Sequence, residues 1–228
     1  MKMKFDTKVI HAAIKPDSDT GSIVTPMHQT ATYVMEKVGK DKGYDYTRSA
    51  NPTREIMEDH LAALDNGKYG IAFASGMSAI DSCLKLLKSG DHIICSDDVY
   101  GGTYRLFDQL LVNYDLHFSF VDTSFPDKVE NEITPETKMI WVETPTNPLL
   151  KITDLNAISK IAKKNDLLFA VDSTFSTPVF LKPLDFGVDL VMHSTTKYIT
   201  GHSQLIGGIL ITNREDLANK LKFAQKTI

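Results

Sequence analysis

The sequence predicts an α/β fold built on a mostly parallel sheet with crossover helices. Short apolar runs recur along the chain with helical spacing between them, and no internal repeat or low-complexity segment interrupts the alternation. Runs of that length between helices read as buried parallel strands. Composition agrees: 42% of the 228 residues are hydrophobic and 24% charged, enough to bury one sizeable core.

Residues 1–45 stand apart as an N-terminal arm. They are polar, carry Pro16, Gly21, Pro26, Gly39 and Gly43, and show no sustained period. An extended lead-in is expected there rather than a packed unit. Residues 46–228 form the α/β domain. TREIMEDHLAALDNG (53–67) has the spacing of an amphipathic helix, with Ile56, Met57, Leu61 and Leu64 apolar, and ends at Gly67 as a glycine stop. YGIAFA (69–74) is a short apolar run, and MSAIDSCLKLLKSG (77–90) has helical spacing and another glycine stop. Strands are then expected at HIIC (92–95), LHFSFV (116–121), KMIWVE (138–143), LLFAVD (167–172), DLVMHS (189–194) and LIGGILI (205–211). The last run, flanked by glycines, is expected to pair differently. Helices are expected around 101–112, 153–165 and 214–225.

The charge balance narrows the function. With 25 Lys+Arg against 29 Asp+Glu the formal net charge is −4 and the pI near 6.0. Neither that balance nor any basic run gives a footprint for nucleic acid or an anionic membrane. No apolar stretch approaches the roughly 20 residues of a bilayer crossing. The opening MKMKFDTKVIHAAIK lacks the apolar core of a secretory signal. Cys83 and Cys95 stand alone without a CxxC, so a reducing, cytoplasmic setting is expected.

Ligands of such sheets bind beyond the carboxyl ends of the strands, and there the informative residues fall. After IAFA comes Ser75-Gly76-Met77-Ser78, opening a helix. A glycine turn there aims backbone N–H groups at a ligand and the helix N-terminus favours an anion, although alone it reads equally as a plain tight turn. After LLFAV comes Asp172, whose carboxylate needs a cation or donors to offset desolvation; alone it reads as an N-cap. After DLVM comes His193-Ser194-Thr195-Thr196-Lys197-Tyr198, then Gly201-His202. A lone lysine is ordinarily a solvated charge. Together the three features are specific. A glycine turn with hydroxyls holds a phosphate, a strand-end Asp holds a protonated ring nitrogen, and a lysine forms an imine with an aldehyde. Pyridoxal 5′-phosphate (PLP) needs all three.

Six motifs extend that reading: YDYTRSANPTR (44–54), AFASGMSAI (72–80), DDVYGGTYRLF (97–107), VETPTNPLL (142–150), AVDSTFSTP (170–178) and HSTTKYITGH (193–202). Through them, in this order, the chain resembles the Cys/Met-metabolism family of fold-type I PLP-dependent enzymes, which includes cystathionine γ-synthases, cystathionine γ- and β-lyases and methionine γ-lyases. The resemblance implies a fold-type I PLP-dependent transferase large domain. It implies that Lys197 holds the cofactor and, once released by substrate, shuttles protons. Asp172 is the implied partner of the pyridinium nitrogen. Gly76 and Met77 supply backbone N–H groups and Ser194 and Thr196 hydroxyls to the phosphate. Tyr100 stacks on the ring and takes part in proton transfer, and Asn147 contacts the ring oxygen or the substrate carboxylate. Glu143 is expected to support rather than catalyse. Tyr46 and Arg48 match the Tyr-x-Arg pair that reaches a neighbouring subunit's phosphate, which implies a homodimer or homotetramer.

Other residues carry less. His193 and His202 lack a third metal ligand and read as structural; Cys83, Cys95 and Trp141 read as packing; His11 and His28 have no assignable role. Arg105 is a candidate for the distal carboxylate of a cystathionine-like substrate, against the plain reading of a surface arginine. The 100–107 stretch resembles the γ-synthase and γ-lyase branch, and methionine γ-lyases place a cysteine where Gly102 stands. Gln204 falls where many relatives have Asp, without a physical account. Members of the family continue into a second domain whose arginine clamps the substrate α-carboxylate, whereas this chain ends at Ile228 with no arginine beyond Arg214. The expectation is therefore a nearly full cofactor site, half a substrate site, no C-terminal substrate domain and an uncovered apolar face. Two classes of function stand. One is trans-sulfuration, by γ-replacement or γ/β-elimination on cystathionine or O-acyl-homoserine substrates, alone or with a complementing C-terminal chain. The other is a non-catalytic PLP-binding module. Transamination is disfavoured by the Tyr-x-Arg arm and the PTNP motif.

Overall fold

The structure, a computed structural model, describes residues 3–228; Met1 and Lys2 of the arm lie outside the described residues. In chain order the elements are α1 (Phe5–His11), α2 (Pro52–Leu64), β1 (Tyr69–Phe73), α3 (Gly76–Leu84), β2 (His92–Ser96), α4 (Gly101–Arg105), β3 (His117–Val121) and α5 (Pro126–Asn131). They continue with β4 (Thr137–Glu143), α6 (Leu155–Lys164), β5 (Leu168–Asp172), α7 (Thr177–Phe180), β6 (Leu190–His193), β7 (Gly208–Thr212) and α8 (Glu215–Thr227). The sheet runs β1-β7-β6-β5-β4-β2-β3. All neighbours are parallel except β7, which is antiparallel to both β1 and β6. The expected α/β fold is present, and the glycine-flanked run is the one that pairs differently.

Strand side chains alternate between two cores. Ile71, Ile93, Trp141, Ala170, Met192 and Leu210 face α3, α8 and the 101–114 segment. Ile94, Ile140, Val142, Phe169, Val171 and Ile211 face α2 and α6. Both layers are continuous. Cys83 and Cys95 are buried in the first of them and Trp141 is fully enclosed, as expected.

Four local expectations need correction. The arm is not wholly extended: α1 packs on α2, with Lys8 donating to the Ala63 carbonyl at 3.3 Å and His60 Nδ1 2.7 Å from the Ala12 carbonyl. α2 stops by a left-handed Asn66 (φ 57°), not by Gly67. Gly67 is demanded instead by packing, since a Cβ there would lie 2.3 Å from Ile211 Cγ2. The helix expected over 101–112 is α4 followed by a π turn at Leu106–Leu110 and a 3-10 turn at Leu111–Tyr114. The π spacing brings Leu106 and Leu111, five apart, into the same core. Finally α5, opened by Pro126 in its first turn, was not foreseen from periodicity.

Beyond α1 the arm is exposed, with Val34 88% and Val38 fully accessible. An apolar hollow also lies between α3 and α8, where Leu86, Leu87, Phe223 and Ile228 meet and Phe223 is 71% exposed.

Backbone approaches closely at Gly208, where a Cβ would stand 2.3 Å from the Ser75 carbonyl oxygen and 2.8 Å from Gly76 Cα. Gly208→Ala is expected to destabilise the fold by about 1–3 kcal/mol in urea unfolding. Gly101→Ala, with nothing within 4 Å, is expected to change stability by less than about 1 kcal/mol.

Candidate active site

The end of β1 turns directly into α3, and Ser75 caps the helix. Its Oγ accepts the Ser78 N–H at 3.0 Å while Ser78 Oγ accepts the Ser75 N–H at 2.9 Å. This reciprocal box satisfies two donors. The N–H groups of Gly76 and Met77 lie in the first turn, where a helix has no acceptor of its own to offer, and so are left for a ligand. Gly76 is fixed by its neighbour: a Cβ would stand 2.8 Å from Ser194 Cβ and 3.0 Å from its Oγ.

Three strands away, Asp172 closes β5 and is 5% exposed. Its Oδ1 accepts both the N–H of Thr174 at 3.0 Å and its hydroxyl at 2.6 Å, and Thr174 Oγ1 accepts the Ser194 N–H at 2.9 Å. Thr174, which sequence reasoning passed over, thus ties the ends of β5 and β6. Oδ2 accepts no hydrogen bond among the described residues. Burial pushes the Asp172 carboxyl up, and the two bonds from Thr174 and the nearby His193 pull it back. His193 points to the opposite face, its Nε2 2.7 Å from Asp65 Oδ2 in a fully buried pair. That is the structural role expected of it.

Lys197 follows in the turn after β6. The neck of this turn is closed by Thr196, whose Oγ1 donates to the Gly207 carbonyl at 3.1 Å and accepts the Gly207 N–H at 3.0 Å. The hydroxyl proton of Thr196 is therefore engaged on the backbone. Lys197 is solvent-accessible and makes no ion pair among the described residues. Tyr100 caps α4 from outside, and its ring lies over Gly102, where a Cβ would meet Tyr100 Cε1 at 2.4 Å.

These residues share one cavity of about 260 Å³, lined by Gly76, Met77, Tyr100, Asn147, Asp172, Ser194, Thr196 and Lys197. Eight sequence candidates thus come together. Three do not. Arg105 is on the exposed side of α4, outside the lining. Tyr46 and Arg48 line a separate surface hollow, the guanidinium 5.4 Å from the Tyr46 ring centroid and bonded to the Lys226 carbonyl at the end of α8.

Glu143, expected to support rather than catalyse, stands beside Asp172 in the structure. It lines the cavity, is 5% exposed, and its carboxyl is pushed up to about 8 by burial and then by the Asp172 charge. Its position at the end of an apolar strand, like that of Asp172, was the available signal. Burial raises both carboxyls; the Asp172 charge raises Glu143 further, while the two bonds from Thr174 pull Asp172 back. Burial also raises both thiols, Cys83 to about 12, which suits packing.

An amine, a strand-end carboxylate and an anion-binding helix N-terminus around one hollow define a site for a phosphorylated, aldehyde-bearing ring cofactor. The comparisons make the class specific. The model of the Cys/Met metabolism PLP-dependent enzyme family matches residues 6–228, and the chain belongs to that family. It is 46% identical over 225 residues to a probable cystathionine γ-synthase of Herpetosiphon aurantiacus, covering 99% of this chain and 70% of that one. It is 48% identical to a cystathionine γ-lyase of Bacillus subtilis, covering 99% and 59%. The structure superposes on cystathionine γ-lyase from Lactobacillus plantarum complexed with L-serine with a TM-score of 0.96 at 46% identity, covering 98% and 58%. It superposes on metB from Corynebacterium glutamicum with a TM-score of 0.97 at 44% identity, covering 99% and 59%. The chain therefore spans between about three fifths and 70% of the length of these relatives. The residues present fit PLP: the cradle at Gly76 excludes any side chain, and Asp172 keeps one oxygen without a donor.

A carboxyl that is more basic folded than unfolded binds extra proton in the native state, so stability falls as pH rises between the two values. For Glu143 that window runs from its ordinary 4.5 to about 8, and the raised Asp172 acts in the same direction. Urea unfolding is expected to show stability declining across this window by up to about 1.4 kcal/mol per pH unit. Glu143→Gln is expected to flatten the slope.

Proposed function

We propose that this chain binds PLP and works in trans-sulfuration, by γ-replacement or γ/β-elimination on cystathionine or O-acyl-homoserine-type amino acids. The observation that carries the reading is the convergence of Lys197, Asp172 and the start of α3 on one cavity. When bound, the cofactor supplies an aldehyde for amines and a ring that takes up negative charge.

The chain's own residues do the rest. The Gly76 and Met77 N–H groups and the Ser194 hydroxyl bind the phosphate, and Thr196 joins them if its proton turns from the Gly207 carbonyl. Asp172 accepts the ring N–H through Oδ2 and holds the proton there. Lys197 Nζ would hold the cofactor through its aldehyde and, when free, would remove and return the proton at the substrate Cα. The Tyr100 ring covers the cofactor plane and its hydroxyl assists proton movement. Asn147 contacts the ring oxygen or the substrate carboxylate.

Tyr46 and Arg48, far from their own chain's cavity, are suited to reach the phosphate site of a second copy. The exposed Val34 and Val38 fit an arm that crosses a homodimer interface. We place the site within residues 46–228, with residues 1–45 as that arm and the distal part of the substrate site supplied by a further domain or chain. Arg105, outside the cavity, would serve only a substrate reaching past Tyr100. No helix among the described residues is long and apolar enough to cross a membrane, and two unpaired cysteines fit a cytoplasmic setting.

A second reading, cofactor binding without turnover by this span alone, is favoured by one observation. Among the described residues Lys197 is the only cationic side chain lining the cavity, so no arginine is present there for a substrate α-carboxylate.

Titration with PLP is expected to give a visible absorption band, and borohydride treatment is expected to fix the adduct on the peptide containing Lys197, read by mass spectrometry. Lys197→Ala is expected to lose both band and adduct. An adduct elsewhere, or a band retained in the variant, would falsify the assignment. Adding cystathionine or an O-acylhomoserine separates the two readings, because only a competent substrate site changes the band.

A further inference from the structure

Glu143 ends β4 as Asp172 ends β5, and the two stand opposite each other in the parallel register. Their side chains leave the same face of the sheet and line the same cavity. Glu143 Oε2 accepts the backbone N–H of Tyr100 at 2.9 Å, and the backbone N–H of Asn147 lies near enough to the same carboxyl to favour its charged form. Tyr100 arrives on the loop after β2 and Asn147 on the loop after β4. The strut itself is held from below. The Glu143 N–H donates to Ser96 Oγ at 3.2 Å, and Ser96, Thr123 and Thr153 form a buried hydroxyl chain with contacts of 2.9 and 2.8 Å.

We propose that Glu143 is a positioning residue, a buried carboxyl that fixes the backbones of Tyr100 and Asn147 beside Asp172 and so shapes the cavity around a planar ring. The identity of that ring as PLP rests on the function proposed above; the positioning does not. The groups facing Glu143 are Asp172 from β5, Asp98 and Tyr100 from the β2–α4 loop, and Cys95 from β2. With so many acidic neighbours, a neutral carboxyl leaves Asp172 as the principal negative charge at the ring position. It acts as an acceptor of hydrogen bonds rather than as a second counter-ion.

The test compares wild type, Glu143→Gln, Glu143→Asp and Glu143→Ala in two measurements. Hydrogen–deuterium exchange of peptides covering 98–106 and 144–151 in the cofactor-free protein reads loop order. The Kd for PLP, read by quenching of Trp141, the single tryptophan, reads the cavity. Gln keeps an acceptor oxygen at the same reach, so exchange and Kd are expected within about threefold of wild type. Asp is one methylene too short and Ala has no acceptor. Both are expected to exchange at least about tenfold faster in these peptides and to bind PLP about tenfold more weakly. If Ala does not fold by circular dichroism, Asp carries the comparison. Wild-type exchange and Kd in Asp overturn the proposal, as does a Gln variant as impaired as Asp. Failure of the wild-type chain to bind PLP overturns the proposed function, while the exchange data still decide the role of Glu143.

Discussion

The site depends on a place where backbone must touch backbone. Ser75 and Gly76 at the start of α3, Ser194 after β6 and Gly208 at the start of β7 come so close that a single added methyl group would collide with main-chain atoms or with Ser194. This contact exists because β7 runs antiparallel between β1 and β6 and returns the chain across the outlets of both. An anion-binding turn and a lysine-bearing turn, 121 positions apart from Gly76 to Lys197, are thereby set against the same hollow. The two apolar cores beneath keep the strands in register, so the geometry of the rim is inherited from packing.

Around that contact the acidic groups are sorted by their partners. Asp65 is matched by His193 on one face of the sheet. On the other, Asp172 is matched on one oxygen by Thr174 and left open on the second, while Glu143, its carboxyl pushed up to about 8, accepts the Tyr100 N–H. A buried carboxylate without donors is costly. The second Asp172 oxygen lies in the cavity lining, where a cationic ring nitrogen would be its partner.

Much of this was legible in the sequence, for physical reasons. Strand runs such as KMIWVE and LLFAVD are buried on both faces and so are continuously apolar, and a charged residue ending such a run marks the rim. That logic located Asp172 and the Lys197 turn, and applied evenly it also points to Glu143. Other features leave no local trace. The left-handed residue after α2 is Asn66 because the space at Gly67 belongs to Ile211, which is distant in sequence. The π turn at Leu106–Leu110 reflects which side chains the sheet can accept. Thr174 looks like any threonine until the ends of β5 and β6 are seen side by side. Tyr46 and Arg48 were named by motif alone, and their distance from their own chain's cavity is a property of three-dimensional layout.

The neck at Thr196 and Gly207 has a consequence for how this scaffold tolerates change. Residues 198–206 form a surface excursion whose ends are clamped to each other by the Thr196 hydroxyl and the Gly207 amide and carbonyl. Lys197 lies on the excursion side of the clamp, and its carbonyl accepts the Gly201 N–H at 2.9 Å, so the loop that carries the amine also forms the rim of the entrance. Leu205, Ile206 and Tyr198, which face solvent, are in this sense a cuff around the mouth of the cavity. The reactive amine and the entrance are mechanically coupled, and remodelling the second acts on the first.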